Sequence, residues 1–216
     1  MWLNLSYRGG AKVNAQSGEP AVDILSCECI VWDFDGTLFD LDVNWGELKT
    51  HLDSLLRRHP DYQPNSHLSI DGLVNEARRL KLEGTIFDAM AESERQGMSN
   101  WERGLKRIPT DIFMALKERS ALVSNNMSGT LRSFLARLGA PEVPFITRDK
   151  VMRPKPDPEG LHQLKALWFG KRARFIGDSD IDLKVATASG IPFTHVDDLI
   201  KLYPRGLETS TTRGRP

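Results

Sequence analysis

Two aspartates, Asp33 and Asp35, stand directly after a short apolar segment, Cys29–Trp32, and are followed by Gly36 and Thr37. A segment of this length and composition is typical of a buried strand, so the two acids lie at its carboxyl end. Side chains two residues apart on an extended chain point to the same side, so Asp33 and Asp35 converge. Two carboxylates that close repel each other unless a cation lies between them or one holds a proton. The pattern predicts a catalytic strand end, with a polar strand end running into a loop as the plain alternative.

Three further polar clusters follow later in the chain. A Ser-Asn-Asn segment at 124–126 ends a second apolar run, where a hydroxyl and backbone amides can bind phosphate-like oxygens. Lys155 lies among prolines in the segment 153–160, which holds its cation in place, and residues 177–182 bring three acids to a strand-to-helix turn. Each cluster alone has an ordinary explanation as a turn, an exposed loop or a helix cap. Together and in this order they are much more specific.

The second half of the chain alternates short apolar runs with helical periods. Strands are predicted at 121–123, 145–146, 174–176 and 193–196, and helices at 131–138, 161–168 and 181–189. Gly139 and Gly190 are placed to end two of these helices. Such alternation predicts right-handed crossovers and an α/β fold with a parallel sheet covered on both faces. Ligands bind outside the carboxyl ends of such strands, where all the polar clusters fall.

Residues 41–108 differ because they show helical periods and no strand pattern. Apolar stripes begin at Trp45, Ile70 and Ile86. A helical insertion therefore separates the first strand from the rest of the sheet. Its functional interpretation is a lid over the carboxylates, with hinges near 39–41 and near 108–111, where Pro109 interrupts the helical pattern. A purely structural helical subdomain is the alternative.

Length and composition limit the number of domains, the binding partners and the location to be expected. The 216 residues can form one domain with an insertion, and 29 basic residues balance 29 acidic ones, so no global charge favours nucleic acid or an anionic membrane. No signal peptide or membrane segment is apparent, and Cys27 and Cys29 are expected to be buried or half-buried thiols, so the cytoplasm is the default location. Residues 1–22 are expected to be a flexible leader and 208–216 a disordered tail.

The four motifs, at 33–38, 123–126, 155–158 and 177–182, resemble those of the haloacid dehalogenase superfamily. The resemblance is to the phosphoglycolate-phosphatase-like branch with a helical cap, and it covers roughly residues 27–203. It implies a Rossmann-like parallel-sheet core made of residues 23–40 and 109–207. It also implies an α-helical cap domain, residues 41–108, inserted just after the first motif.

This resemblance implies an Mg²⁺-dependent phosphatase acting on a small phosphate monoester, such as a phosphoglycolate-like compound, a sugar phosphate or a nucleotide. Asp33 is implied as the nucleophile that forms an aspartyl-phosphate, and Asp35 as the acid and base. Mg²⁺ is expected on Asp33, Asp178 and the backbone carbonyl of Asp35. Asp182 is expected to orient the metal site or Lys155, and Asp180 to face solvent.

The phosphoryl group is expected to be bound by the hydroxyl of Ser124, the ammonium of Lys155 and nearby backbone amides. The residues implied for this role are Gly36, Thr37, Ser124, Asn125 and Lys155. The expected partner is a small phosphorylated metabolite, with no nucleic acid and no membrane, and the expected state is a monomer or homodimer.

Three other functions compete with this prediction. A hexose-phosphate mutase would share these residues but would keep water from the aspartyl-phosphate. A dehalogenase uses an aspartate nucleophile without a metal and normally lacks the second acid, so Asp35 argues against it. A non-catalytic protein that kept the fold for partner binding is disfavoured because the motif residues are intact: Asp33, Asp35, Lys155 and Asp178.

Overall fold

A parallel five-stranded sheet forms the centre of the protein in the computed structural model, which describes residues 24–207. Its strands, in spatial order β3-β2-β1-β4-β5, are β1 (Cys29–Trp32), β2 (Ser120–Val123), β3 (Phe145–Ile146), β4 (Ala173–Gly177) and β5 (Phe193–His195). All neighbouring strands are parallel, so the predicted α/β fold is confirmed. The predicted leader and tail lie outside the described residues.

Helices connect these strands. Between β1 and β2 lie α1 (Trp45–Leu56), α2 (Ile70–Arg79), α3 (Glu83–Gly97), α4 (Trp101–Gly104) and α5 (Arg107–Ala115). The later helices are α6 (Ser128–Leu138), α7 (Glu159–Gln163), α8 (Lys165–Trp168), α9 (Asp180–Ala188) and α10 (Val196–Leu202). None of the helices within residues 24–207 is long and apolar enough to span a bilayer.

The central strand β1 is apolar at every position because both of its faces are covered. Ile30 and Trp32 pack into one hydrophobic cluster, and Cys29 and Val31 into another on the opposite face. This two-residue alternation explains a continuous apolar run, as expected for a buried parallel strand. Cys29, like Cys27, is a buried free thiol, as predicted.

The inserted helices α1, α2 and α3 have a hydrophobic cluster of their own. Leu52, Leu73, Ile86 and Met90 meet there, and the cluster also takes in Met127 from the loop after β2. Since that loop follows the carboxyl end of β2, the helices lie at the carboxyl edge of the sheet.

Two chain segments connect the insertion to the core, and they run side by side. Phe39 and Leu105 form an antiparallel bridge. The Asp40 amide donates to the Gly104 carbonyl at 2.8 Å, and the Lys106 amide donates to the Leu38 carbonyl at 3.1 Å. A Cβ on Gly104 would come within 2.3 Å of the Phe39 ring, so only glycine allows this approach.

Three predicted boundaries are wrong. Pro109 does not interrupt the helix, because it lies in the first turn of α5, where its missing N–H is not needed. Val196 does not end β5 but begins α10, whose first turn the His195 ring caps by accepting from the Asp197 amide. The predicted helix at 161–168 is split into α7 and α8, and the Trp168 indole donates to the Leu161 carbonyl at 3.0 Å.

Phe134 of α6 joins the inserted segment to the core. Its ring centroid lies 4.8 Å from that of Phe34 and 5.6 Å from that of Trp101, and it is fully buried. We expect Phe134→Ala to lower the free energy of unfolding by ~3–5 kcal/mol, because it leaves a cavity between these rings. Phe169→Ala, at a ring that is 66% exposed, is the matched control and should cost less than about 1 kcal/mol. Equal losses in urea titrations of the two variants would contradict the packing described here.

Candidate active site

Three neighbouring strands end in polar side chains at one edge of the sheet. Asp33 directly follows β1, Ser124 follows β2 and Asp178 follows β4. Since β2, β1 and β4 are adjacent, parallel pairing brings these three residues together. The sheet therefore assembles the predicted cluster from distant parts of the chain.

Lys155 forms a buried bridge between two carboxylates. Its Nζ lies 2.6 Å from Oδ1 of Asp33 and 2.5 Å from Oδ1 of Asp182. Lys155 is 5% exposed, Asp33 is 6% exposed and Asp182 is fully buried. An ammonium buried this deeply is tolerated only when it is paired, and here it has two partners.

The backbone of Lys155 is fixed by the side chain of Asn125. The Asn125 Nδ2 donates to the Lys155 carbonyl at 2.9 Å, and the Lys155 amide donates back to Asn125 Oδ1 at 2.9 Å. This two-way pair ties the loop after β2 to the proline-rich segment. The side chain of Asn125 thus places the Lys155 ammonium, a role that the sequence analysis did not assign to it.

Burial changes the protonation of the acids. It raises the pKa of Asp33 to about 7, because desolvation outweighs the opposing charge of Lys155. Burial lowers the pKa of the Lys155 ammonium, but the two carboxylates more than offset this and raise it above its ordinary value. Lys155 therefore stays charged and supports the ionised form of Asp33.

Asp35 lies in a different environment. It is half-buried, and its Oδ1 accepts a hydrogen bond from the Leu41 amide at 2.8 Å. Burial raises the pKa of Asp35 to about 6, against the hydrogen bond from Leu41. A carboxyl group with this pKa can give up or take a proton near neutral pH.

The acidic cluster has the ligand types that a hard divalent cation needs. Carboxylate oxygens of Asp33, Asp178 and Asp182 lie within 4.8 Å of one another. Asp182 already uses both oxygens, one with Lys155 and the other as acceptor from the Ser179 hydroxyl at 2.6 Å. Asp33 and Asp178 are therefore the better placed carboxylate ligands, and this donor set fits Mg²⁺.

The turn at Gly36 and Thr37 supports Asp178. Thr37 donates its hydroxyl to Oδ1 of Asp178 at 3.2 Å. Gly36 adopts a φ of 82°, and a Cβ there would come within 2.3 Å of Asp178 Oδ2. The Gly36 amide, predicted to bind phosphate, instead donates to the Phe39 carbonyl at 2.7 Å. Both residues thus have partners other than a phosphoryl oxygen.

Ser124 is held by the residue two positions later. Its hydroxyl donates to Asn126 Oδ1 at 2.6 Å, and the Asn126 amide donates to the Ser124 oxygen at 3.2 Å. Both side chains are buried. Asp180, as expected from the sequence, is exposed.

Sequence reasoning missed several residues around this site. His195 places its Nε2 2.8 Å from the Asp178 carbonyl oxygen. Arg148 is buried, donates from Nε to the Asn125 carbonyl at 2.8 Å and pairs with Asp71 of α2. Glu94 of α3 is fully buried against α6. Only Glu94 carried a usable signal, because it interrupts the apolar stripe formed by Ile86 and Met90 at four-residue intervals.

Fold and site together define an α/β enzyme with its active site at the carboxyl edge of a parallel sheet. The sequence model of the haloacid dehalogenase-like hydrolases matches residues 30–196. The chain belongs to this family and is a hydrolase.

Solved structures show the same fold at low sequence identity. A protein from Lactobacillus plantarum, provisionally assigned as a phosphoglycolate phosphatase, is 20% identical, with 80% of this chain and 87% of that chain covered and a TM-score of 0.51. CbbY from Rhodobacter sphaeroides in complex with phosphate is 17% identical, with 78% and 85% covered and a TM-score of 0.53. The comparison with curated proteins gives no match.

Replacing Lys155 tests the buried bridge. Lys155→Met leaves Asp33 and Asp182 buried without their cation, so we expect the free energy of unfolding at neutral pH to fall by ~3–5 kcal/mol. Adding Asp182→Asn to this variant removes one of the two stranded charges and should restore part of the loss. Urea denaturation measures both changes, and a double variant less stable than Lys155→Met would contradict the bridge.

Proposed function

We propose that the protein is an Mg²⁺-dependent phosphatase that hydrolyses a small phosphate monoester through an aspartyl-phosphate on Asp33. The observation that carries the proposal is the buried contact of Asp33 with Lys155 beside Asp178 at the carboxyl edge of the sheet. Family membership supports the hydrolase class. The phosphatase assignment of the Lactobacillus plantarum protein agrees with this reaction.

In the proposed first step, a carboxylate oxygen of Asp33 attacks phosphorus while the bond to the ester oxygen breaks. This divides a difficult displacement into two easier ones. Lys155, 2.6 Å from the same carboxylate, holds it in position and places a positive charge beside the transferring group. Positioning and electrostatic stabilisation are the main contributions that a protein makes to phosphoryl transfer.

Asp35 is the proposed acid and base. Protonated, it donates to the leaving ester oxygen; as a carboxylate, it then takes a proton from the water that attacks the aspartyl-phosphate. The hydrogen bond from the Leu41 amide fixes its carboxyl group, and its raised pKa keeps a protonated fraction near neutral pH.

Mg²⁺ would be held by the carboxylates of Asp33 and Asp178 and by the backbone carbonyl of Asp35. When bound, it supplies neutralising charge for the phosphoryl oxygens. Thr37 and His195 contact Asp178 and hold this ligand in place. The backbone amide of Asn125 is proposed to bind the phosphoryl oxygens opposite Lys155, together with the hydroxyl of Ser124, which would turn from Asn126 Oδ1 toward the ligand.

The docking of the inserted helices, the proposed cap, limits the size of the proposed substrate. Arg78 of α2 donates from Nη2 to the Val151 carbonyl at 2.7 Å, and Arg148 pairs with Asp71, so α2 lies close to the loops that carry Lys155 and Asn125. A cap docked this closely favours a small phosphorylated metabolite, of the phosphoglycolate, sugar phosphate or nucleotide class.

Asp33→Asn tests the nucleophile. We expect hydrolysis of p-nitrophenyl phosphate to require Mg²⁺ and to fall at least ~10³-fold in this variant, because the attacking oxygen is lost while the shape is kept. Asp180→Asn, the same change at an exposed acid two residues after Asp178, is the control and should keep wild-type activity. Wild-type rates in purified Asp33→Asn would refute the mechanism.

Asp35→Asn tests the proposed general acid separately from the nucleophile Asp33. An alkyl phosphate needs a proton on its leaving oxygen, so we expect its kcat to fall ~10²–10⁴-fold. The phenolate of an activated aryl phosphate leaves without that proton. With such a substrate, the rate of the first step in a single-turnover measurement should therefore fall less. The same loss for both substrates would argue against Asp35 as the general acid.

A further inference from the structure

Helix α2 contacts the segment between β3 and Lys155 at both of its ends. Near the start of the helix, Asp71 pairs with Arg148. Near its end, Arg78 donates from Nη2 to the Val151 carbonyl at 2.7 Å. One helix of the insertion is therefore fastened to the stretch of chain that leads directly to Lys155.

Arg148 lies at the seam, which is the boundary between the inserted helices and the core. It is only 6% exposed, so its guanidinium needs partners within the protein. Its Nε donates to the Asn125 carbonyl at 2.8 Å, and its backbone amide donates to the Asn126 carbonyl at 3.2 Å. Asp71 supplies a carboxylate partner from the other side of the seam. Arg148 thus joins α2 to the loop that follows β2.

The contacts continue from this loop to the end of β1. The side chain of Asn125 donates to the Lys155 carbonyl and accepts from the Lys155 amide, both at 2.9 Å. The ammonium of Lys155 lies 2.6 Å from Oδ1 of Asp33. A series of ion pairs and hydrogen bonds therefore runs without a gap from Asp71 in α2 to Asp33.

Packing of the insertion on the core does not by itself require an arginine here. The inserted helices already include Met127 of the core in their own hydrophobic cluster. An arginine whose carboxylate partner lies across the seam loses that partner when the helices move apart, and an unpaired buried charge is costly. Such a movement would draw the guanidinium toward water and away from the Asn125 carbonyl.

We propose that Arg148 is a positioning residue that makes the placement of Lys155 depend on the docking of α2. With α2 docked, Asp71 holds the guanidinium against Asn125, whose side chain holds the backbone of Lys155. With α2 displaced, this support is lost and the cation beside Asp33 is less well placed. The inference rests on the proposed function, since it gives Lys155 the role of supporting Asp33 during attack.

The rate of the first step tests this role. In single-turnover reactions with excess enzyme, p-nitrophenyl phosphate and Mg²⁺, Asp71→Asn should lower the limiting rate constant of phenolate release about tenfold, an ordinary coupling between two sites. The half-saturating enzyme concentration should stay within about twofold, because Lys155 acts on the transferring group rather than on ground-state binding. Asp71→Glu keeps a carboxylate for Arg148 and should recover most of the rate.

Glu76→Gln is the matched control, because Glu76 lies on the same helix and pairs with Arg79 of that helix. It should leave both kinetic quantities at their wild-type values. In a double-mutant cycle, Asp71→Asn should have no further effect in the Arg148→Met background, because the two residues act in series. If Arg148→Met does not fold, Arg148→Gln takes its place with the same expected result.

Hydrogen exchange reports on the placement of Lys155 without any substrate. The Lys155 amide donates to Asn125 Oδ1, and within residues 154–158 only one other residue carries an amide hydrogen, since the remaining three are prolines. Mass spectrometry of a peptide over this stretch should show about tenfold faster exchange in Asp71→Asn than in Glu76→Gln. The amides of β1 should exchange equally in both variants, which separates local release from a general loss of stability.

Any one of four results would overturn the inference. They are an unchanged limiting rate constant in Asp71→Asn, an equal loss in Glu76→Gln, additive effects in the cycle, and exchange at Lys155 that is unchanged or accelerated no more than in β1. The side chain of Asp71 is 43% exposed, so Asp71→Asn is expected to fold and its rate and exchange decide the matter.

This outcome is separable from that of the proposed function. If Asp33→Asn retains full hydrolysis, the proposed function fails and the effect on catalysis fails with it, while exchange at Lys155 still shows whether α2 places this residue. If Asp33→Asn is inactive but Asp71→Asn behaves like the wild type, only the positioning role of Arg148 is wrong.

Discussion

The ammonium of Lys155, buried between Asp33 and Asp182, is the interaction on which the rest of the site depends. It joins three separate parts of the chain: the end of β1, the proline-rich segment and the first turn of α9. Removing the ammonium leaves two buried carboxylates without their cation, which is strongly destabilising. The supporting contacts follow from this requirement, since Asn125 holds the backbone of Lys155 and Ser179 holds the second oxygen of Asp182.

A second constraint links the inserted helices to the same loops. Arg148, Glu94 and Met127 all lie at the seam, and each contacts or belongs to a segment that follows the carboxyl end of a strand. The insertion is therefore attached beside the acidic cluster and Lys155, rather than elsewhere on the core. Movement of these helices would displace the loop that carries Ser124 and Asn125, the residues proposed to bind phosphate.

The sequence predicted the sheet and the cluster at its edge because these depend on local patterns. Apolar runs marked β1, β2 and β4, and the polar residues directly after them are Asp33, Ser124 and Asp178. Contacts made by side chains from distant segments had no such pattern. The pair between Asn125 and Lys155 and the buried position of Arg148 depend on how loops fold back on one another. The boundary errors at Pro109 and Val196 have a different and local origin. Each depends on where the first turn of a helix begins, which periodicity does not show.

The central claim is a covalent intermediate on Asp33, and chemical trapping tests it most directly. The enzyme is mixed with excess aryl phosphate and Mg²⁺, quenched in acid during the first turnover, reduced with borohydride and sequenced by mass spectrometry. An aspartyl-phosphate is reduced to homoserine, so our account predicts this change at position 33 and at neither Asp35 nor Asp178. Modification of a different acid, or stoichiometric release of the phenol with no modified residue at any quench time, would contradict the account.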